Sequence, residues 1–335
     1  MKSCSAGRRG GFTLIEMLTV VAIFGLVAVY VGRILTVNER AYHTVENTSE
    51  SQQNLRVFGE LVEDDIRHAG MMVSRNAAVC GVDATNGPDV LYVSDAAAID
   101  PGDDSKPYNG ATITAPAGTT NLTAGVSVTL TLSSLMMETT SPSRPAYDTD
   151  GNGTADSDFR KDGGVIVWDT ATPTRGNACG TVTAVDIPNK RITVTGASPM
   201  LAGAGTALAA VPANEYRVVG TQLRWNNIAL ADGIEDFQVA YVFDIDQDNQ
   251  IDGNTDKRSF GEAGQANYTS AELEPSRLRE LQVDIVSRAR MADPKFSGRP
   301  QALLNRTPIT TADGFRRRTF ETRVLLRNLA TRIDS

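Results

Sequence analysis

Arg8-Arg9-Gly10-Gly11-Phe12-Thr13-Leu14-Ile15-Glu16 stands near the N-terminus and leads into an apolar run that ends at Val31. From Phe12 to Val31 there are twenty residues, and Glu16 is the only charged one. At about 1.5 Å of rise per residue, such a helix is roughly 30 Å long, enough to cross a bilayer core. A carboxylate inside a membrane span is costly, so Glu16 reads as a functional group. Lys2, Arg8 and Arg9 precede the run. The positive-inside rule therefore predicts a cytoplasmic N-terminus and a chain that continues on the far side.

Three ordinary readings meet difficulties. A secretory signal peptide needs a small-x-small cleavage site after the apolar run, and Gly32-Arg33-Ile34-Leu35 offers none. A lipoprotein signal would place its cysteine after the run, whereas Cys4 precedes it. A plain anchor accounts for the length and leaves Glu16 unexplained.

Gly11-Phe12-Thr13-Leu14-Ile15-Glu16, behind a basic leader and ahead of an apolar helix, resembles the processing site of type IV prepilins and type II secretion pseudopilins. The resemblance implies cleavage between Gly11 and Phe12 by a prepilin peptidase that also N-methylates the new amine of Phe12. It implies that Glu16, fifth in the mature chain, pairs with the terminal amine of a neighbouring subunit. Physically, opposite charges in a low-dielectric helix bundle cost less together than apart. A pairing between subunits also gives assembly a direction.

With 335 residues, 41% of them hydrophobic, the chain can bury a substantial core. The formal charge is −8, and loss of Lys2, Arg8 and Arg9 with the leader leaves 29 basic against 40 acidic side chains, or −11. Nucleic-acid binding needs a basic footprint, and this balance argues against it. Processing would leave two cysteines, Cys80 and Cys179. Outside the cytoplasm, two such cysteines are expected to form one disulfide.

Beyond Val31 no proline occurs until Pro88. Leu55, Phe58, Val62 and Ala69, with Leu61 and Ile66 beside them, recur at helical spacing and predict an amphipathic continuation. Gly70 is a natural stop. The expected organisation is a leader over 1–11, a membrane or filament-core helix over 12–31, an amphipathic helix over 32–72 and a β-rich head over 73–335. Within the head, about 86–160 is rich in Thr, Ala, Gly, Ser, Pro and Asp and reads as an insertion. Strands are expected at Val90–Val93, Val126–Leu132, Gly164–Trp168, Gly180–Asp186 and Arg191–Thr195. Two long alternating strands close the chain, Leu278–Arg288, with Leu281, Val283 and Ile285 on one face, and Arg316–Leu326.

The segment Asp65-Ile66-Arg67-His68-Ala69-Gly70 resembles the end of the long helix in the PilW family of minor pilins and in the related pseudopilin J. Tyr216–Val219, Thr221–Trp225 and Gly233–Tyr241 follow the PilW order of strands. The resemblance implies an α+β, pilin-like fold: a long N-terminal helix packed on a largely antiparallel head. It implies a minor pilin that helps prime type IV pilus assembly and sits at or near the tip. Its partners would be other minor pilins and the major pilin. The chain would start in the inner membrane as a single-pass protein with its head in the periplasm, then move to the pilus at the cell surface. Two alternatives stay open, a pseudopilin J of a secretion system and a tip adhesin that binds through the insertion.

Two acidic loops carry metal-ligand spacing. Asp148, Asp150, Asn152 and Asp156 fall at positions 1, 3, 5 and 9 of a calcium-type loop, with Gly153 at the turn and the Thr154 carbonyl at position 7. Asp244, Asp246, Asp248 and Asp252 repeat that spacing, with Asn249 at the turn and the Gln250 carbonyl at position 7. Both loops lack an acid at position 12, where Phe159 and Thr255 fall, so any Ca²⁺ affinity is expected to be modest. Catalysis has little support. The two histidines, His43 and His68, both lie on the expected long helix. Asp64 and Asp65 are adjacent and point to different helix faces. No enzyme activity is expected.

Overall fold

The structure, a computed structural model, describes residues 13–71, 73–84, 86–94, 110–116, 122–135, 157–198, 207–248, 250–251, 257–259, 274–293 and 295–330. The chain divides into two compact units, Met1–Glu50 and Ser51–Ser335.

Helix α1 runs from Leu14 to His68. In the first unit every described side chain from Thr13 to Glu39 is exposed, and Leu14–Glu39 is long and apolar enough to cross a membrane. In the second unit the helix buries Leu55, Gly59, Val62, Ile66 and Ala69, spaced alternately by four and three residues. Phe58 is half-buried beside this stripe, and Leu61 is exposed. Leu61 precedes Val62 by about 100° of helix rotation, which carries it off the stripe. The absent Cβ of Gly59 makes room for Phe320, whose ring would lie 2.4 Å from a side-chain carbon there. Gly70, at φ +74°, ends the helix. Its N–H donates to Ser94 O at 2.9 Å, which ties the helix end to the head.

The head strands follow in order: β1 (Val79–Val82), β2 (Val90–Val93), β3 (Ala111–Ala115), β4 (Ser127–Leu132), β5 (Gly164–Asp169), β6 (Asn177–Asp186), β7 (Arg191–Ser198), β8 (Leu208–Val219), β9 (Gln222–Trp225), β10 (Ile228–Asp232), β11 (Ile234–Phe243), β12 (Lys257–Ser259), β13 (Leu278–Arg288) and β14 (Arg317–Leu325). A short helix α2 (Arg327–Ala330) follows. All the strand pairings are antiparallel.

The middle of the chain closes on itself. The pairings β8-β3-β4-β7-β6-β5 return to β8 through β5, giving a six-stranded barrel. Its interior is filled by Ile113, Leu130, Leu132, Phe159, Val165, Val167, Val182, Ile192 and Val194 among others. Strand β5 is buried throughout because its two faces are both covered. Val165 and Val167 point into the barrel, while Ile166 and Trp168 join a second cluster with Tyr92, Val211 and the disulfide. The segment read as an insertion over about 86–160 thus supplies β2, β3 and β4, whose partners include strands outside it. Local composition shows loop-like residues but not the distant strands that complete the ladders.

Strand β8 belongs to two structures. Leu208–Ala213 pair with β5 in the barrel, and Asn214–Arg217 pair with β2. On the β2 side its ladder to β3 ends at Ala210, so Pro212, which lacks an N–H, falls in the gap between two ladders. Cys80 of β1 and Cys179 of β6 are joined across this junction, with Cα atoms 6.1 Å apart and a sequence separation of 99.

A separate four-stranded sheet, β12-β11-β13-β14, covers the second half of α1. Leu281, Val283 and Ile285 of β13 and Phe237, Val239 and Tyr241 of β11 share one core with Val62, Ile66 and Ala69.

The barrel wall contains a close backbone approach. A Cβ added to Gly196 of β7 would lie 2.4 Å from Thr123 O and 2.6 Å from Leu122 C. Gly196→Ala is expected to destabilise the head by about 1–3 kcal/mol, because a main-chain segment must move. Thermal melting checks this, and an unchanged transition would show that the Leu122–Thr123 backbone yields without cost.

Candidate assembly helix and acidic loop

The start of α1 is a capping box. The Thr13 N–H and Oγ1 both donate to Glu16 Oε2 at 3.0 Å, and the Glu16 N–H donates to Thr13 Oγ1 at 3.3 Å. The Glu16 carboxylate therefore sits in the first turn, where the orphan N–H groups and the helix dipole favour negative charge. The Thr13-x-x-Glu16 spacing is a sequence signal for this geometry, and reading Glu16 as a lone charge overlooked it. Gly11 and Phe12 lie outside the described residues.

Asp65 fastens the second half of α1 to β8. It accepts a hydrogen bond from the Tyr216 hydroxyl and one from Asn214 Nδ2 at 3.3 Å. Asn214 Oδ1 in turn accepts from Asn226 Nδ2 at 2.9 Å, and Asn226 Oδ1 accepts from the Glu215 N–H at 2.8 Å. Burial pushes the Asp65 carboxyl up against these bonds. Asp64, one residue earlier, is exposed, so the two do not form a pair.

The second acidic loop follows β11. One carboxylate oxygen from each of Asp244, Asp246 and Asp248 lies within 4.8 Å of the others. The Asp248 N–H donates to Asp246 Oδ1 at 3.4 Å and the Gln250 N–H to Asp248 Oδ1 at 2.7 Å, folding the loop around its own side chains. Gln247 turns the chain at φ +61°. Asp246 and Asp248 are exposed, whereas Asp244 is buried and its Oδ2 lies 3.2 Å from Arg279 Nε. The loop is tethered to the start of β13 by the Asp244 N–H donating to Arg277 O at 2.9 Å and by Arg277 Nη1 donating to Ile245 O at 3.1 Å. Nothing local in the sequence marks Arg277 and Arg279 for this role. Three hard oxygen donors around one turn fit a divalent cation such as Ca²⁺, and the Arg279 partner lowers the net charge offered to it. Asp252 lies outside the described residues. So do Asp148, Asp150, Asn152, Thr154 and Asp156 of the first loop.

Asp89 is a buried carboxylate that sequence reading did not single out. Its Oδ1 accepts from the Ala84 N–H and its Oδ2 from the Val239 N–H, both at 2.8 Å, joining the β1–β2 connection to β11. Burial, with the nearby Asp83 and Asp236 carboxylates adding to it, pushes Asp89 up to about 7 despite the two donors. A carboxyl raised from 3.8 in the folded state binds its proton more tightly there than in the unfolded chain. Its contribution to stability is therefore full below about pH 4 and is lost as the pH rises through about 7. Denaturant unfolding is expected to show a head up to about 4 kcal/mol more stable at pH 4 than at pH 8 from this group. Asp89→Asn should flatten that slope, and an equal slope in the variant would assign it elsewhere.

Two family matches bear on this arrangement. Residues 7–31 match the prokaryotic N-terminal methylation motif, and residues 202–328 match the Type IV Pilus-assembly protein W family. No curated protein matches the chain. Among solved structures, a type IV-like pilin from Thermus thermophilus is similar at 16% identity, over 50% of this chain and 85% of that one, with a TM-score of 0.23. So low a score carries no argument, and the long apolar helix and β-rich head are read from the structure itself. A methylation motif at the head of such a helix, followed by an antiparallel head, is the arrangement of a type IV pilin. The C-terminal part of the chain carries a PilW domain, which supports a minor pilin. That family and fold are structural rather than enzymatic. The PilW match begins six residues before β8 and runs through β14, so the strands β3–β7 of the barrel lie between the two matched segments.

Proposed function

We propose that this chain is a minor pilin that helps prime type IV pilus assembly at or near the filament tip. The observation that carries the reading is the methylation motif over 7–31 with Glu16 as the single carboxylate of the apolar span. The prepilin peptidase removes residues 1–11, and the methylated Phe12 amine pairs with Glu16 of an adjacent subunit. The Thr13 bonds both use Glu16 Oε2, so in this reading Oε1 receives the partner's ammonium. The helix holds the subunit in the inner membrane with its head in the periplasm until other minor pilins and the major pilin take it up.

Intact mass of membrane-extracted protein is expected to give a chain starting at N-methyl-Phe12. A species retaining Met1–Gly11 in pilus-producing cells would overturn the reading. Glu16→Gln keeps size and hydrogen bonding but loses the charge. It is expected to insert and be cleaved normally while co-purifying poorly with other pilins, and undiminished co-purification would remove Glu16 from the pairing role.

We further propose that Asp244, Asp246 and Asp248, with the Gln250 carbonyl and Asp252, hold Ca²⁺. The convergence of three carboxylate oxygens supports this reading. An incomplete ligand set suggests a Kd of about 10⁻⁴–10⁻³ M. A cation bound only by the folded head stabilises it by about 2.7 kcal/mol at a hundredfold excess over Kd. Thermal melting in calcium against chelator is expected to show an upward shift that Asp246→Ala abolishes. A shift that instead disappears in Asp150→Ala would move the site to the first loop.

A further inference from the structure

The charge of the head is divided along the chain. Residues 51–287 carry 16 basic against 32 acidic side chains, whereas residues 288–335 carry 11 basic against 4 acidic. Five of those eleven basic side chains, against two acidic ones, lie on the connection between β13 and β14, residues 289–316. That connection is an ordered arm folded back on itself. The Ala289 N–H donates to Arg316 O and the Asp293 N–H to Gly314 O, both at 2.8 Å, and Gly298 and Asp313 exchange backbone bonds at 2.9 and 2.8 Å. The ring of Phe296 lies under the Arg316 guanidinium, 4.7 Å from centroid to carbon.

The acids in and beside the arm are already engaged. Asp293 pairs with Arg316 at 3.0 Å, and Arg317 takes both Asp313 and Glu235. Arg290, Lys295, Arg299 and Arg318 are exposed and have no ion pair among the described residues. Met291, 54% exposed, lies among them. Arginine with methionine, and little lysine, is the composition enriched where protein surfaces meet. The net negative charge of the chain disfavours nucleic acid as the occupant.

We propose that the β13–β14 arm is the surface by which this subunit docks on an acidic face of a neighbouring pilin head. Residues 51–287 of this chain, with 16 basic against 32 acidic side chains, have the charge that such a face needs. The charges steer the approach and set the register, and Met291 is desolvated on contact. The inference rests on the reading of the chain as a filament subunit.

The test uses the full-length protein in pilus-producing cells, with a photo-crosslinking residue in place of Lys295. The expected product is a crosslink to another pilin, mapped to a peptide of net negative charge. Its yield should fall about tenfold in the Arg290→Glu, Arg299→Glu double variant and persist when both are changed to lysine. Both positions are exposed, so melting of the double variant should match the parent. A crosslink insensitive to charge reversal, a crosslink to lipid or nucleic acid, or none to a pilin would overturn the proposal. Intact mass and recovery in sheared pili test the filament reading separately. A chain that is processed and present in pili, yet crosslinks without regard to charge, defeats this proposal alone. A chain that keeps its leader defeats both.

Discussion

Strand β8 is the member on which the rest of the head depends. Its first half closes the barrel against β3 and β5, and its second half carries β2 and β9. Tyr216 and Asn214, on that second half, hold Asp65 of the long helix. A single extended segment thus fixes the barrel, the adjoining strands and the helix relative to one another within the head. The disulfide between Cys80 and Cys179 reinforces the junction by joining β1 to the barrel wall. In the chain-entropy model a loop of about a hundred residues is worth roughly 4.7 kcal/mol, so it suits a head whose pairings are mostly long-range.

Electrostatics adds a second layer of constraint. Arg288 and Arg317 face each other across β13 and β14, an arrangement that would repel if left alone. Glu235 of β11 answers it by accepting from Arg317 Nη2 at 2.9 Å, with Asp313 on the other side. Hydrogen bonding to Arg317 draws the Asp313 carboxyl down to about 2. Asp89 is held the opposite way, protonating near neutrality because burial outweighs its two backbone donors. One head therefore carries carboxylates displaced in both directions, each by its own surroundings.

The helical features were legible because they are local. The apolar span, Glu16 and the stop at Gly70 each depend on residues within one or two turns of helix. The alternation of Leu281, Val283 and Ile285 named the buried face of β13, since period two needs no knowledge of the partner strand. Leu61 shows the limit of such patterns. The spacing set Leu61 and Ile66 alike beside the stripe, and only the line of contact with the sheet shows that Ile66 is buried and Leu61 faces outward.

What the amino-acid order determined by itself was a membrane-length helix with one carboxylate at its start, an amphipathic continuation, and long alternating strands near the C-terminus. The tertiary structure alone decided the barrel, the double burial of β5, the junction at Pro212 and the pairing of Asp244 with Arg279. The physical reason is separation along the chain. Helical and strand periodicity arise between near neighbours, whereas barrel closure and buried ion pairs join residues tens of positions apart, and their partners are set only when the chain packs.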